Sequence, residues 1–152
     1  MIRYRARDSY VLLAAVSTFV VGSFLGGRVG SFRAAAKIPY PYEYASYEQV
    51  RTASPAAAKA MDNFNRAQRA HQNFNENHVS ALGAMLIAGL KYPTLAAYAG
   101  FGWSVNRVIY GLGYTNGAEG GKGRYYGVLW MVCHYVMVGA AGKAAWEFVK
   151  SA

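Results

Sequence analysis

The stretch RAQRAHQNFNENHVSALGAMLIAGL, residues 66–90, joins a polar half to an apolar half without a break. Its first half holds two arginines, two histidines, three asparagines and a glutamate, whereas nothing from Val79 onward is charged. No proline or glycine interrupts the chain between Pro55 and Gly83, which predicts one helix over 55–91. Such a helix is longer than a bilayer is thick, so its polar half is expected in water or at the membrane interface.

The composition of the whole chain also favours a membrane protein. Apolar residues make up 54% of the 152-residue chain and charged residues only 15%. Residues 10–27 and 125–142 contain no charge, and Arg107 is the only charge between Tyr92 and Ala118. Each window approaches the ~20 residues that cross a bilayer as a helix. We therefore predict an all-α integral membrane protein, with one four-helix domain over 1–152 and spans at about 9–36, 60–91, 93–113 and 125–149.

Two other interpretations of the apolar segments fit less well. The first span follows three arginines, as in a cleaved signal peptide, but its apolar run is too long and the alanines at 34–36 follow Arg33 rather than a cleavage site. The arginines in question are Arg3, Arg5 and Arg7. A soluble helical bundle would need a polar outer face on every helix, and the first and fourth spans have none.

The net charge of +9 bears on partners and topology. In a soluble protein it would suggest nucleic acid, but here the basic residues cluster near span ends, where they suit membrane lipid headgroups. We expect no nucleic-acid partner. More of these residues flank the first and third loops than the opposite face, which favours cytosolic loops at that end. Cys133 is the single cysteine, which excludes a disulfide framework and a thiolate metal cluster.

The connections between spans are short. Residues 37–53 contain prolines in alternate positions and are predicted to form a loop, followed by Ser54 and Pro55 as N-cap and first residue of the second helix. The stretch YTNGAEGGKGR, residues 114–124, predicts a flexible glycine-rich loop, with the fourth helix beginning near 125. Short connections imply an antiparallel up-down bundle, which brings the first and third loops to the same end.

Two polar stripes are predicted at that end. Arg69, Asn73 and Glu76 share one face of the second helix, with Gln72 one step aside. Arg107, Tyr110 and Tyr114 share a face of the third helix. Ionisable groups at membrane depth are costly, so both stripes are expected to face inward and to serve a function.

The stripes define a ligand class. Arginines favour a small molecule with several carboxylates, Glu76 favours an ammonium group and Asn73 favours amides. A peptide-like anion meets these conditions, and a further cation, Arg124 or Arg33, would favour an ionised reactive group, as positive charge does for a thiolate.

Each stripe residue also has a purely structural interpretation. Arg69 and Glu76 pair only with each other in that reading, Asn73 joins two helices, and Arg107 extends to the headgroups. The histidines lack a carboxylate or second histidine at metal-ligand spacing, and we expect no metal.

Three segments together resemble one family. FNRAQRAHQNFNE, residues 64–76, is followed by NRVIYGLGY at 106–114, and KIPYPYEY at 37–44 is similar to that family's first loop. The chain resembles the MAPEG superfamily of membrane glutathione proteins over nearly its whole length, and its microsomal glutathione S-transferase 3 branch in particular. The resemblance implies a homotrimer of four-helix protomers, with glutathione as co-substrate bound between neighbouring subunits near the cytosolic face.

The resemblance also assigns residues. Those matching the family's glutathione-binding motif positions, with their neighbours, are Arg69, His71, Gln72, Asn73, Glu76, Arg107, Tyr110, Tyr114 and Lys122. Arg124 is the expected thiol-activating residue, with Lys122 as the other choice, and Arg33 resembles a basic position that faces the lipophilic substrate in related synthases. Asn77 and His78 stand where relatives often have a tyrosine after the motif's glutamate.

The implied activity is that of a glutathione transferase or peroxidase. Its second substrate would be a lipophilic electrophile or a lipid hydroperoxide that arrives from the bilayer, and its location the endoplasmic reticulum or the mitochondrial outer membrane. Two alternatives stay open: a non-catalytic lipid-presenting protein of the lipoxygenase-activating type, and a synthase dedicated to one lipid epoxide, similar to leukotriene C synthase.

Overall fold

The computed structural model describes residues 6–151, and this part of the chain contains helices and turns but no strand. The predicted all-α class is confirmed. Residues 1–5, with Arg3 and Arg5 of the arginines that precede the first span, and residue 152 lie outside the described residues. The helices are α1 (Ala6–Ala36), α2 (Tyr47–Thr52), α3 (Pro55–Gly89), α4 (Pro93–Tyr114), a 3-10 helix (Glu119–Gly127) and α5 (Leu129–Ser151).

The long polar-to-apolar helix has the predicted start. The Ser54 hydroxyl accepts a hydrogen bond from the Ala57 amide at 3.5 Å, and Pro55 occupies the first turn, where its missing N–H costs nothing. The helix ends at Gly89, two residues before the predicted end at 91, and α4 begins at Pro93.

Two predicted connections are corrected. The first loop is not wholly irregular, because Ser46 and Gln49 form a reciprocal capping box that starts the short helix α2. The predicted flexible loop at 114–124 instead leads into an ordered 3-10 helix, and α5 begins at Leu129 rather than 125. The 3-10 helix contains left-handed turns at Gly120 (φ 59°) and Gly121 (φ 68°), which glycine adopts without steric cost.

The helices pack through small side chains. Helix α1 contacts α3 and α4, α5 contacts the same two helices, and α3 contacts α4. Small residues let helix backbones approach closely, which is a main source of helix association in lipid. The buried alanines of this core include Ala14, Ala15, Ala81, Ala84, Ala88, Ala96, Ala97, Ala140 and Ala141. The large side chains buried among them are Phe74, Met85, Trp103 and Met137.

Different contacts hold the helices together at the two ends of the molecule. At one end, the Tyr92 hydroxyl and the Lys91 ammonium both contact Glu147 of α5, at 2.6 and 2.8 Å. At the other end, Arg66 donates to the Ala118 carbonyl at 2.9 Å, and Arg28 of α1 donates to Thr115. The second end therefore gathers the polar half of α3, the end of α4 and the 3-10 helix.

The helices differ in how well they fit a bilayer. Helix α1, over Ser9–Ala36, is long and apolar enough to cross a membrane alone. The 3-10 helix and α5 meet the same criterion only as a pair bent by 45°. Among the described residues α3 and α4 do not pass individually, which follows for α3 from its polar half. Exposed apolar side chains lie along α1 and α5, including Leu12, Leu13, Val16, Phe19, Val20, Leu129, Val132, Trp146 and Val149.

The 3-10 helix packs directly on the backbone of α4. A methyl group at Gly127 would overlap the Asn106 carbonyl and the Tyr110 amide, and one at Gly123 would overlap the Gly113 carbonyl. Backbone-to-backbone contact of this kind fixes the distance between the two segments, because no flexible side chain separates them.

We expect Gly127→Ala to reduce the free energy of unfolding by about 2 kcal/mol, because the added methyl forces the 3-10 helix away from α4. Gly142→Ala is the matched control: a methyl group there meets nothing within 4 Å and lies in a helix, where alanine is favoured. Thermal unfolding of both variants in detergent measures the difference. Equal melting temperatures for the two variants would contradict the packing argument.

Candidate functional site

Arg107 lies in the interior of the helix bundle. Its exposed fraction is 0%, so it does not extend to the headgroups. Its Nη1 donates to Asn73 Oδ1 at 2.9 Å, which joins α4 to α3. Its guanidinium carbon lies 4.6 to 5.6 Å from the centres of four aromatic rings, those of Phe74, Trp103, Tyr110 and Trp130.

This guanidinium is under-satisfied. Its Nε and Nη2 are buried and have no hydrogen-bond partner among the described residues. Aromatic faces offset part of the cost of burying a cation, at about 0.5–2 kcal/mol each, but they do not accept the remaining N–H groups well. The free donors of this buried cation are chemically suited to an anionic acceptor.

A second arginine lies on the same face of α3 as Asn73. Arg69 Nη1 and Glu76 Oε1 are 2.9 Å apart, and the two side chains are 48% and 50% exposed. Their pairing agrees with the structural interpretation of these residues, and a half-exposed pair of this kind contributes little to stability. The pair nevertheless keeps a cation and a carboxylate at the surface next to the buried Arg107–Asn73 contact.

A series of ring contacts connects Arg107 to Arg124. The Tyr110 ring lies under the Arg107 guanidinium, the Tyr114 ring is 5.7 Å from that of Tyr110, and the Arg124 guanidinium is 5.2 Å from the Tyr114 ring. The predicted residues Asn73, Arg107, Tyr110, Tyr114 and Arg124 are therefore contiguous in space.

Arg124 is held by neutral groups. Its Nη1 donates to the carbonyls of Gly120 and Gly121 at 3.0 and 3.1 Å, and its Nη2 donates to the Tyr125 hydroxyl at 2.8 Å. None of these partners carries a negative charge, so the guanidinium keeps its full positive field at this end of the molecule. The Lys122 ammonium, in contrast, lies 3.8 Å from the Glu119 carboxylate, and both side chains are mostly exposed.

The first loop contributes side chains that sequence reasoning missed. The Tyr44 hydroxyl donates to Gln72 Oε1, and Gln72 Nε2 donates to Glu43 Oε1. Burial raises the pKa of the Tyr44 phenol, and the Glu43 carboxylate raises it further while Arg69 opposes both. Tyr44 is therefore a protonated donor at neutral pH. The motif KIPYPYEY marks this loop, but no periodicity relates it to α3, so the contact could not be predicted.

Two residues clamp this loop. Asn65 of α3 donates to the Ala45 carbonyl at 2.9 Å and accepts from the Ala45 amide at 2.8 Å. Arg33, which was expected to face a lipophilic substrate, donates to the Tyr42 carbonyl at 2.6 Å. Its guanidinium also lies 4.4 Å from the Tyr40 ring and 4.7 Å from the Phe64 ring. Within one protomer, Arg33 thus holds the loop in place.

His71 lies apart from this cluster. Its ring faces Gly26 of α1, on the other side of α3 from Arg69, and its Nε2 is 3.4 Å from the Asn75 side-chain amide. His78 lies deeper in α3, where its Nε2 is 2.8 Å from the Thr18 hydroxyl and its ring stacks on Phe74. Asn77 donates to the Asn73 carbonyl at 2.8 Å.

The chain belongs to the MAPEG family, whose model matches residues 11–144. The match includes both polar stripes, the first loop and the 3-10 helix. The family is membrane-associated and includes glutathione transferases, peroxidases and non-catalytic members. The helical fold, the apolar first helix and the family match together make this a membrane protein of that class.

We expect Arg107→Met to separate stability from ligand binding. Replacement of a buried charge by an apolar side chain of similar length is often neutral or stabilising, so the melting temperature without ligand should stay within a few degrees of that of the unchanged protein. An anionic peptide ligand is expected to raise the melting temperature of the unchanged protein, and the variant should lose this rise. A variant that keeps this rise would show that Arg107 is only a structural residue.

Proposed function

We propose that the protein is a membrane-bound glutathione transferase, with peroxidase activity toward lipid hydroperoxides, of the microsomal glutathione S-transferase 3 type. The observation that carries the proposal is the buried guanidinium of Arg107, with two unsatisfied nitrogens beside the Arg69–Glu76 pair.

Glutathione matches the site in charge and in hydrogen-bonding groups. It has two carboxylates for the arginines, an ammonium group for a glutamate, and two amides for Asn73 and the tyrosine hydroxyls. Arg107 would bind a carboxylate in its interior position, and Arg69 would bind the other nearer the surface. Tyr110 and Tyr114 line the path from there to Arg124.

Arg124 is the proposed thiol-activating residue. Because only carbonyls and a hydroxyl bind it, its charge is free to stabilise a thiolate, and nearby positive charge lowers the pKa of a thiol. Lys122 is less suited, since its closest partner is the Glu119 carboxylate. The backbone contact of the 3-10 helix with α4 would keep Arg124 at a constant distance from the tyrosines.

Two reactions follow from a stabilised thiolate. In conjugation, the sulfur attacks an electrophilic carbon of the lipid, a C–S bond forms, and the bond to the leaving group or epoxide oxygen breaks. In peroxide reduction, the sulfur attacks the outer oxygen of the hydroperoxide, the O–O bond breaks, and the lipid alkoxide leaves and takes a proton from water to become the alcohol. A second glutathione then converts the resulting glutathione sulfenic acid to glutathione disulfide and water.

The proposed site is open to solvent on one face of a single protomer. Arg69 and Glu76 are half exposed in a single protomer, and we propose that a second copy covers this face within a homotrimer. His71, which lies away from the cluster in one protomer, would then act at the site of a neighbour, and Arg33 would act through the loop that it holds. All four long helices would cross the bilayer in this assembly, with the site toward the cytosol, in the endoplasmic reticulum or the mitochondrial outer membrane.

We expect Arg124→Ala to lower kcat for a model electrophile by about 10- to 100-fold while changing the affinity for glutathione much less, because the lost charge acts on the thiolate. Arg124→Lys should recover part of the activity. Arg51→Ala removes an arginine from an exposed position of α2 and serves as the control. The ultraviolet absorbance of bound glutathione thiolate, measured beside turnover, tests the cause. Normal conjugation by Arg124→Ala would refute the assignment.

A direct titration of glutathione into the detergent-solubilised protein distinguishes an enzyme from a non-catalytic relative. We expect saturable binding with release of a proton at neutral pH. Absence of binding by folded protein would favour the lipid-presenting function instead.

A further inference from the structure

The two carboxylates near the proposed ligand site are in different electrostatic states. Glu76 has its Oε1 on the Arg69 guanidinium at 2.9 Å, so it already has a cationic partner within the protein. Glu43 forms no salt bridge with any described residue. The Glu43 carboxylate accepts hydrogen bonds only from neutral amides, those of Gln72 and, at 3.5 Å, Gln68.

These amides hold Glu43 in one orientation. Both reach the same oxygen, Oε1, and the Oε2 of this exposed side chain has no hydrogen-bond partner within the described chain. The loop that carries Glu43 is itself clamped to the helices through Arg33 and Asn65. A fixed carboxylate with one free oxygen is a ready acceptor for a cationic donor.

Gln72 also links this carboxylate to the cationic part of the site. Gln72 and Asn73 are adjacent on α3: Gln72 binds Glu43 and Tyr44 of the loop, and Asn73 binds the buried Arg107 of α4. Two consecutive residues of α3 therefore contact a buried cation with unsatisfied donors and an exposed carboxylate without a cationic partner. A ligand that bears both an anionic and a cationic group satisfies both.

We propose that Glu43 is a specificity-determining residue that binds the primary ammonium group of the tripeptide. Glu76 then serves mainly to hold Arg69 in position for a carboxylate. This inference rests on the proposed function, since it assigns one group of the glutathione ligand. It gives the first loop a role in selecting ligands with a free amino group, and Tyr44 helps to position Gln72 and hence Glu43.

Two ligands test the assignment: glutathione and N-acetylglutathione, whose amino group is a neutral amide. Their affinities are measured by calorimetry on the full-length protein in detergent. The unchanged protein should prefer glutathione by about ten-fold, as expected for one hydrogen bond between charged groups. In E43Q the affinity for glutathione should fall by about ten-fold and that for N-acetylglutathione should not change, so the preference disappears.

Controls separate this role from structural effects. E48Q makes the same exchange on α2, where the side chain is exposed and forms no hydrogen bond or ion pair with the described residues, and it should keep the ten-fold preference. E76Q should weaken the binding of both ligands alike, because it disturbs Arg69. The melting temperature without ligand verifies that each variant is folded.

The outcomes are distinct. Preserved preference in E43Q, or loss of preference in E76Q instead, would overturn the role of Glu43 and leave the proposed transferase function standing. Failure of the unchanged protein to bind glutathione at all would overturn the proposed function and the Glu43 assignment with it. Loss of the preference in E43Q alone supports both.

Discussion

The hydrogen bond between Arg107 and Asn73 is the contact on which the arrangement of the site depends. It is made in a bundle interior built of alanine and aromatic rings, where a full positive charge has no water to solvate it. One amide oxygen and four ring faces hold the guanidinium, and two of its nitrogens are left without partners. The helix pair α3–α4 is thus joined by a contact that is incomplete without a further acceptor.

Around this contact most charged side chains are not paired with a side chain of opposite charge. Arg107 and Arg124 have neutral partners only, and Glu43 is bound by amides, while the one close ion pair of the cluster joins Arg69 and Glu76. If all of these charges were paired within the protein, the surface would interact only weakly with a charged ligand. Keeping most of them uncompensated leaves electrostatic free energy available to a ligand that has both signs of charge.

The loops position the charged side chains of the site as much as the helices do. The 3-10 helix is pressed against the α4 backbone at positions where only glycine fits, and this contact positions Arg124 above Tyr114. The first loop is held by Arg33 and Asn65, and it delivers Glu43 and Tyr44 to Gln72. Loops that are fixed in this way add precise polar groups to a site whose walls come from rigid helices.

The sequence by itself determined the helices and the two stripes, because helical periodicity and capping are local properties: Pro55 begins α3, and Arg69, Asn73 and Glu76 share its face. It also indicated that Arg107 lies inward, since a lone charge in an apolar stretch is costly at the lipid surface. Only the tertiary structure decided that Gln72 contacts Glu43 and Tyr44, that Arg33 clamps a loop, and that residues 119–127 form an ordered 3-10 helix. These features depend on the reach of side chains and the close approach of backbones between distant segments, and no local pattern encodes either.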